Sequence, residues 1–357
     1  MIQARIAKRV APGAGLATLS LDLEFQAGQG ITALFGAAGA GKTFILDAIA
    51  GFARPDTGRI MLDDRILFDA ASRVHLKPQQ RNCGYVLQND TLFPHLTIRE
   101  NLVFAADRLP RLERHRRVNE TLERFRLAEA AGRRPQEASR SEKARCSLAR
   151  GLICSPRALL LDAPFEGLDA PSRNEIQQLV RGARGDFQIP ILLATHNLEE
   201  CCQLADRMLL LHDGRIAQSG RPRDVLEQPA SVEVARLLGI ANLFQAEITA
   251  LDPGRNTSRL RFQEYELTGT YFPGHLRGDR VWLCVRAADL RATGRNGARP
   301  EANQVPVKLL RVSDMPQAVQ LEFSGDITVE VPSQEFEREK DNKEWVVEFP
   351  PAALRVL

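Results

Sequence analysis

Eight consecutive residues, Gly36-Ala37-Ala38-Gly39-Ala40-Gly41-Lys42-Thr43, carry the spacing of a phosphate-binding loop: a glycine, four residues, then Gly-Lys-Thr. The chemistry follows from the residue types. Small side chains let backbone N–H groups converge on the β- and γ-phosphates of a nucleoside triphosphate. Lys42 adds a point charge to those phosphates, and the Thr43 hydroxyl is placed to ligate Mg²⁺. Such a loop has to be positioned by a strand on one side and a helix on the other. The apolar run Gly30-Ile31-Thr32-Ala33-Leu34-Phe35 suits a buried parallel strand. Phe44-Ile45-Leu46-Asp47-Ala48-Ile49-Ala50 suits a helix whose N-terminus faces the anion.

The 357 residues are enough for two domains, each with its own core. Forty-eight Lys and Arg against 45 Asp and Glu give a formal charge of +3, a balance that argues against nucleic acid as the main partner. Six cysteines show no Cys-x-x-Cys spacing and are expected to be buried thiols of a reducing compartment. No apolar run approaches the roughly 20 residues that span a bilayer, and no secretion signal is visible at the N-terminus. A membrane role would therefore be played from the cytoplasmic side, through a partner.

Along the chain, Leu19, Leu21, Leu23 and Phe25 alternate with Ser20, Asp22 and Glu24, the period of a half-buried strand. Pro55-Asp56-Thr57-Gly58 is a turn into the strand Arg59-Ile60-Met61-Leu62. Asn82 to Gln88 reads as a short strand ending on a glutamine. Residues 95–150 turn helical and basic: Val118, Leu122 and Phe125 share a face, with Arg114, Arg116, Arg117, Arg124 and Arg126 expected in solvent. Ala158-Leu159-Leu160-Leu161-Asp162 is a buried strand with its acid at the carboxyl end. A helix from about Pro171 to Arg184, a strand over Ile189 to Thr195, a helix from Asn197 to about Ala205 and a strand from Arg207 to His212 follow. This alternation predicts an α/β fold with a parallel sheet and ligand chemistry at its carboxyl edge. After about Gly239, short alternating segments such as Arg280-Val281-Trp282-Leu283-Cys284-Val285 and Val319-Gln320-Leu321-Glu322-Phe323 predict a small all-β barrel.

Gln88 at one strand end, Asp162 at another, Asp169 seven residues later and Thr195-His196 at a third strand end follow the phosphate loop in an order that resembles the ATP-binding subunits of ABC transporters. Phe93-Pro94-His95-Leu96-Thr97-Ile98-Arg99-Glu100-Asn101-Leu102, Ala205-Asp206-Arg207 and Asp213-Gly214-Arg215-Ile216 resemble the importer branch. Val285-Arg286-Ala287-Ala288-Asp289-Leu290 and the terminal Leu354-Arg355-Val356-Leu357 look like the barrel carried by importers of oxyanions and sugars, and the stretch before Gly36 is most like the molybdate importers.

The resemblance implies a P-loop ABC-type nucleotide-binding domain over residues 1–235, with a helical subdomain at about 95–150, and an OB-like (Mop-type) barrel over 240–357. It implies that Gly36, Ala37, Ala38, Gly39, Ala40, Gly41, Lys42 and Thr43 cradle ATP. Thr43, Gln88 and Asp162 would gather Mg²⁺, and His196 would sense the γ-phosphate, acting with Gln88 and Asp162 in catalysis. Asp169 would face a second copy. Ser139, in the signature segment, would grip ATP bound to the opposite subunit of a homodimer, or of a heterodimer with a second ABC ATPase. Residues 93–102 would contact transmembrane permease subunits at the cytoplasmic face of the inner membrane.

The sequence departs from that pattern in places. The family has a glutamate directly after the strand-end aspartate, as general base; here Ala163 stands there, so weak hydrolysis is expected, and Glu166, three residues on in the following loop, is not expected to take over. The signature reads Ala138-Ser139-Arg140-Ser141-Glu142. Arg140 replaces a glycine and is expected to interfere sterically, the alternative being that its guanidinium reaches the phosphate. Val10, Ala11 and Pro12 stand near where an aromatic would stack on adenine. In the barrel, Glu301-Ala302-Asn303-Gln304-Val305 is the nearest match to an oxyanion-binding segment, and its acid makes oxyanion sensing doubtful. A degenerate regulatory subunit paired with an intact ATPase is the second reading. A translation or repair ATPase is the third, disfavoured by the barrel and the importer-like segment.

Overall fold

A computed structural model describes residues 1–10, 19–88, 91–294, 302–315, 318–342 and 344–357. Ala11, Pro12 and Glu301 lie outside the described residues. The chain divides into two compact units, Met1–Val225 and Leu226–Leu357.

The first unit opens with a meander. Strands β1 (Ile2–Val10) and β2 (Leu19–Ala27) pair antiparallel, with Ile2 opposite Ala27 and Ile6 opposite Leu23. The expected alternation holds, since Leu21, Leu23 and Phe25 are buried while Ser20, Asp22 and Glu24 are exposed. After β3 (Gly30–Phe35) and helix α1 (Lys42–Ala50), β1 pairs on its other side with β4 (Thr57–Leu62). β5 (Arg65–Asp69) and β6 (Val74–His75) complete this five-stranded sheet.

The second sheet positions the candidate site. Helix α2 (Pro78–Arg81) leads into β7 (Cys83–Val86), and three helices follow: α3 (Ile98–Ala105), α4 (Arg111–Arg124) and α5 (Arg140–Leu152). Then come β8 (Ala158–Asp162), α6 (Ala170–Phe187), β9 (Pro190–Thr195), α7 (Leu198–Leu204), β10 (Arg207–His212) and β11 (Arg215–Gly220). The strand order is β11-β10-β3-β9-β8-β7, with every pair parallel except β10–β11. Every residue of β3, β8 and β9 is buried. That is the signature of central parallel strands covered on both faces, and it explains why their sequences are apolar runs rather than alternating ones.

Helix α1 lies in a core shared by both sheets: Ile45, Leu46 and Ile49 pack with Ile6, Leu23, Ile60 and Leu160. α3, α4 and α5 form the other core, in which Val118, Leu122 and Phe125 are buried as their spacing requires. Arg114 departs from the expected solvated row. It is half-buried, and its Nη2 donates to the carbonyls of Asp107 (2.8 Å) and Leu109 (3.1 Å), closing the turn that precedes α4.

The second unit is carried by antiparallel strands. Leu283 and Val285, inside the strand Arg280–Val285, pack with Phe244, Ile248, Leu260, Leu321 and Trp345 in a single core. The C-terminal Arg355–Val356 pairs with Arg280–Val285, with Cys284 opposite Arg355. The segment Val285–Leu290 begins at the end of this strand, so the chain terminus pairs just before it. Two buried asparagines pin the connections. Asn242 donates to the Thr328 carbonyl (2.7 Å) and accepts from its N–H (2.8 Å). Asn303 does the same with Thr268 (2.7 and 2.6 Å) and also donates to the Phe349 carbonyl (2.7 Å).

None of the six cysteines is in a disulfide; the expectation that they are buried holds for Cys146, Cys201 and Cys284, while Cys83 and Cys154 are half-buried and Cys202 is exposed. Consecutive residues of a helix point about 100° apart. On α7 that turns Cys201 into the core and Cys202 away from it.

Candidate nucleotide site

Local rules shape the loop between β3 and α1. Gly36 is buried at the end of β3, and a Cβ there would come within 2.7 Å of the Leu211 carbonyl oxygen. Gly41 is the N-cap of α1 in the left-handed region (φ 93°), where a Cβ would meet Leu21 Cδ2 at 2.7 Å. No side chain caps this helix. By contrast α3, α5, α6 and α7 begin on Thr97, Ser139, Asp169 and Asn197, each accepting a backbone N–H. The first-turn N–H groups of α1 are therefore left to an anion arriving over the exposed Ala37, Ala38 and Gly39. Ala40 and Thr43 complete the rim.

Lys42 folds back over this loop, its Nζ donating to the carbonyls of Gly36 (2.7 Å) and Ala37 (2.8 Å). Partial burial lowers its proton affinity, and the nearby Asp162 charge acts the other way. Asp162 is buried at the end of β8, where desolvation raises its carboxyl above the usual range and the nearby Thr43 hydroxyl acts the other way. Thr43 and Asp162, 119 residues apart in sequence, thus meet at the carboxyl edge of the sheet. A hydroxyl beside a carboxylate is an oxygen donor set that fits Mg²⁺, a hard ion that prefers one or two carboxylates plus phosphate oxygens and water.

Gln88 follows β7, the strand beside β8, and is exposed at the same edge. Its Nε2 donates to Glu166 Oε2 at 2.6 Å, so its amide is held by the loop after β8. His196 follows β9 and is exposed. The turn that carries it is fixed by Thr195, whose hydroxyl donates to the buried Glu200 (2.5 Å) and accepts from the Asn197 N–H (3.0 Å). The carboxyl ends of β3, β7, β8 and β9 therefore bring together Gly36–Thr43, Gln88, Asp162 and His196.

Ser139 lies apart from that group, at the start of α5. Its hydroxyl accepts from the Glu142 N–H (3.2 Å) while Glu142 accepts from the Ser139 N–H (2.8 Å), a reciprocal capping box. Arg140 turns away from the helix start, and its Nη1 donates to the Gly167 carbonyl at 2.7 Å. Asp169 caps α6 through the Ser172 N–H (3.0 Å).

Sequence reasoning missed several residues that hold the site in place. Arg81 is 1% exposed, and its guanidinium donates to the carbonyls of Ala48 (2.6 Å), Ile49 (2.9 Å) and Leu76 (2.9 Å). It thereby satisfies the orphan carbonyls at the end of α1, the helix whose start forms the loop. Asp206 accepts from the Ile31 N–H (2.9 Å) and pairs with Arg184 (2.7 Å), fixing the start of β3. Nothing local in the sequence marks Arg81, and Asp206 stands out only through the resemblance of Ala205-Asp206-Arg207 to the importer branch.

A groove of about 310 Å³ lies on another face of the same unit, lined by Phe52, Tyr85, Phe104, Arg108 and Arg150 among others. Phe52 and Phe104 are 66% and 59% exposed, unusually bare for phenylalanines. Beside it, Asn101 is fully buried and holds the segment 93–97, accepting from the Phe93 N–H (2.8 Å) and donating to the Thr97 carbonyl (3.0 Å). Among the described residues no helix is long and apolar enough to cross a membrane.

Comparison with known proteins agrees with this geometry. Residues 19–166 match the ABC transporter family model. The molybdenum import ATP-binding protein of Rhodospirillum rubrum is 40% identical over 234 residues, 66% of this chain and 63% of that protein, so the matched part falls short of two thirds of that relative's length. The spermidine/putrescine import ATP-binding protein of Oleidesulfovibrio alaskensis is 34% identical over 279 residues, 76% of this chain and 71% of that one. Among solved structures, a dimeric ATP-binding cassette in a post-hydrolysis state with ADP and Pi superposes with a TM-score of 0.54 at 22% identity, over 62% of this chain and 99% of that one. The α/β sheet, the uncapped helix behind a Gly-Lys-Thr loop and these sequence matches lead to one conclusion: the chain belongs to the ABC transporter family of ATP-binding subunits.

Proposed function

We propose that the protein is the ATP-binding subunit of an ABC importer, converting ATP binding and hydrolysis into movement of transmembrane partners. The observation that carries this reading is the α1 N-terminus left without a side-chain cap behind Gly36–Thr43, with Lys42 Nζ held over the loop carbonyls at 2.7 and 2.8 Å. In this reading Gly36 to Thr43 hold the triphosphate, Lys42 exchanging its carbonyl partners for phosphate oxygens. Thr43, Gln88 and Asp162 hold Mg²⁺, which would screen the phosphate charge. His196 faces the γ-phosphate. Two copies would close on two ATP molecules, each gripped across the interface by the α5 start at Ser139. The aromatic groove at Phe52 and Phe104, with the adjoining segment 93–102, is the surface offered to a permease at the cytoplasmic face of the membrane.

For the transported solute we propose molybdate. The 40% identity to a molybdenum import protein supports it over the 34% identity to a spermidine/putrescine import protein. Asn303 bears on where selection occurs. Its amide is saturated by backbone groups, so it is not available to an oxyanion. The test is ATP hydrolysis by the subunit reconstituted with its permease in vesicles. Stimulation by molybdate supports the proposal; stimulation by spermidine or sulfate alone overturns the choice of solute.

Ala163 favours a second reading. A methyl group accepts no proton, and losing a general base costs a factor of about 10²–10⁴ in rate. A subunit so impaired would pair with an intact ATPase. Purification from its native membrane decides: a second ATPase chain in the complex supports this reading, and a homodimer with permease subunits counts against it.

A further inference from the structure

The loop after β8 is built to bring a different carboxylate to the site. Ala163 adopts the left-handed region (φ 44°), and its N–H donates to the Ala194 carbonyl (3.0 Å), anchoring the turn on β9. The Glu166 N–H then donates back to the Ala163 carbonyl (3.2 Å). This tight turn returns the Glu166 side chain to the carboxyl edge, where Gln88 Nε2 meets it at 2.6 Å. One residue on, Arg140 Nη1 grips the Gly167 carbonyl at 2.7 Å. Gly167 is at φ 71°, and a Cβ there would sit 3.0 Å from that guanidinium nitrogen. Side chains from two other segments thus hold adjacent residues of one short loop. Glu166 remains exposed, so a ligand at the edge can reach it.

We propose that Glu166 is the carboxylate that accepts the proton of the attacking water in ATP hydrolysis, replacing the one absent at Ala163. The inference rests on the ATP-binding reading above. In the step, the water oxygen forms a bond to the γ-phosphorus while the bond from that phosphorus to the β,γ-bridging oxygen breaks. ADP leaves with the electron pair, the water proton passes to a Glu166 oxygen, and the carboxyl then releases it to solvent. Gln88 is the positioning residue that aims the carboxylate.

Glu166→Gln isolates this role, because its side-chain carbonyl still accepts from Gln88 and the loop keeps both grips. ATP binding, steady-state hydrolysis and retention of unhydrolysed ATP after rapid gel filtration are read on the wild type, Glu166→Gln and the double variant Ala163→Glu/Glu166→Gln. The expected result is a wild type that binds and turns over ATP. Glu166→Gln should bind equally well, lose about 100-fold or more in rate and retain intact ATP. The double variant should recover turnover. A Glu166→Gln protein as fast as the wild type overturns the inference, as does a wild type that binds ATP without turnover; either leaves the nucleotide site standing. A wild type that binds no ATP overturns that site and this inference together.

Discussion

Arg81 is the residue whose removal most directly tests how the phosphate loop is held. Replacing it with alanine leaves the Ala48 and Ile49 carbonyls without their buried donor at the end of α1. An unsatisfied buried acceptor costs about 1–3 kcal/mol, and losing the desolvated charge offsets part of this, so a net loss of about 3 kcal/mol is expected. For a unit of this size that is roughly a 6–12 °C fall in the midpoint of its unfolding transition. Gly51 supplies the control. It ends α1 at φ 97°, and a Cβ there would lie 2.6 Å from Arg81 Nε. In the wild type, Gly51→Ala therefore adds left-handed strain of about 1–2 kcal/mol to the displacement of a pinned guanidinium. In the Arg81→Ala background only the strain remains. Denaturant melts of the four proteins should show a coupling of about 1–2 kcal/mol, the double variant being less destabilised than the sum. Additivity within about 0.5 kcal/mol would refute the idea that Arg81 and the α1 end form one unit.

Two further perturbations follow from the same geometry. His75, exposed beside Arg81 (3.2 Å from Nδ1 to Nη2), has its proton affinity lowered by partial desolvation and by the Arg81 and Arg54 charges. The folded chain thus favours the neutral ring, and its contribution to stability is lost as pH falls below the usual histidine value of 6.5. Melts at pH 7.5 and 5.5 should show a smaller acid loss in His75→Gln than in the wild type, and an equal loss would contradict this. In the second unit, Asn303→Ala should cost about 3 kcal/mol, from three lost backbone bonds and an alanine at φ 64°. Asn303→Gly relieves only the backbone strain, so calorimetry should place it between alanine and wild type; a glycine variant as stable as the wild type would show that the amide bonds carry nothing.

What the sequence showed was local. The phosphate loop, its flanking strand and helix, and the apolar runs of β8 and β9 are contiguous patterns whose physics is complete within a dozen residues. Val118, Leu122 and Phe125 declared their face by spacing alone. The unread parts depend on residues far apart in the chain. Arg81 meets Ala48 across 33 positions and Gln88 meets Glu166 across 78, and neither pairing leaves a periodic trace. Arginine is rarely buried, so composition argues against Arg81 as a core residue. Arg140 replaces a glycine, which by itself predicts crowding of a ligand; its side chain donates instead to the Gly167 carbonyl, a partner no spacing rule could name. Glu166 reads in sequence only as part of the following loop; the left-handed turn at Ala163 and the Gln88 hydrogen bond that bring it to the sheet edge leave no mark there.

The central claim is that Gly36 to Thr43 bind the phosphates of ATP, and equilibrium titration with Mg-ATP of the purified wild type beside Lys42→Ala tests it most directly. Removing one charged donor to phosphate costs about 1.5–3 kcal/mol, so binding by the wild type and a weakening of at least about tenfold in the variant are predicted. A folded wild type that binds no ATP, or a Lys42→Ala protein that binds it equally well, would contradict the claim.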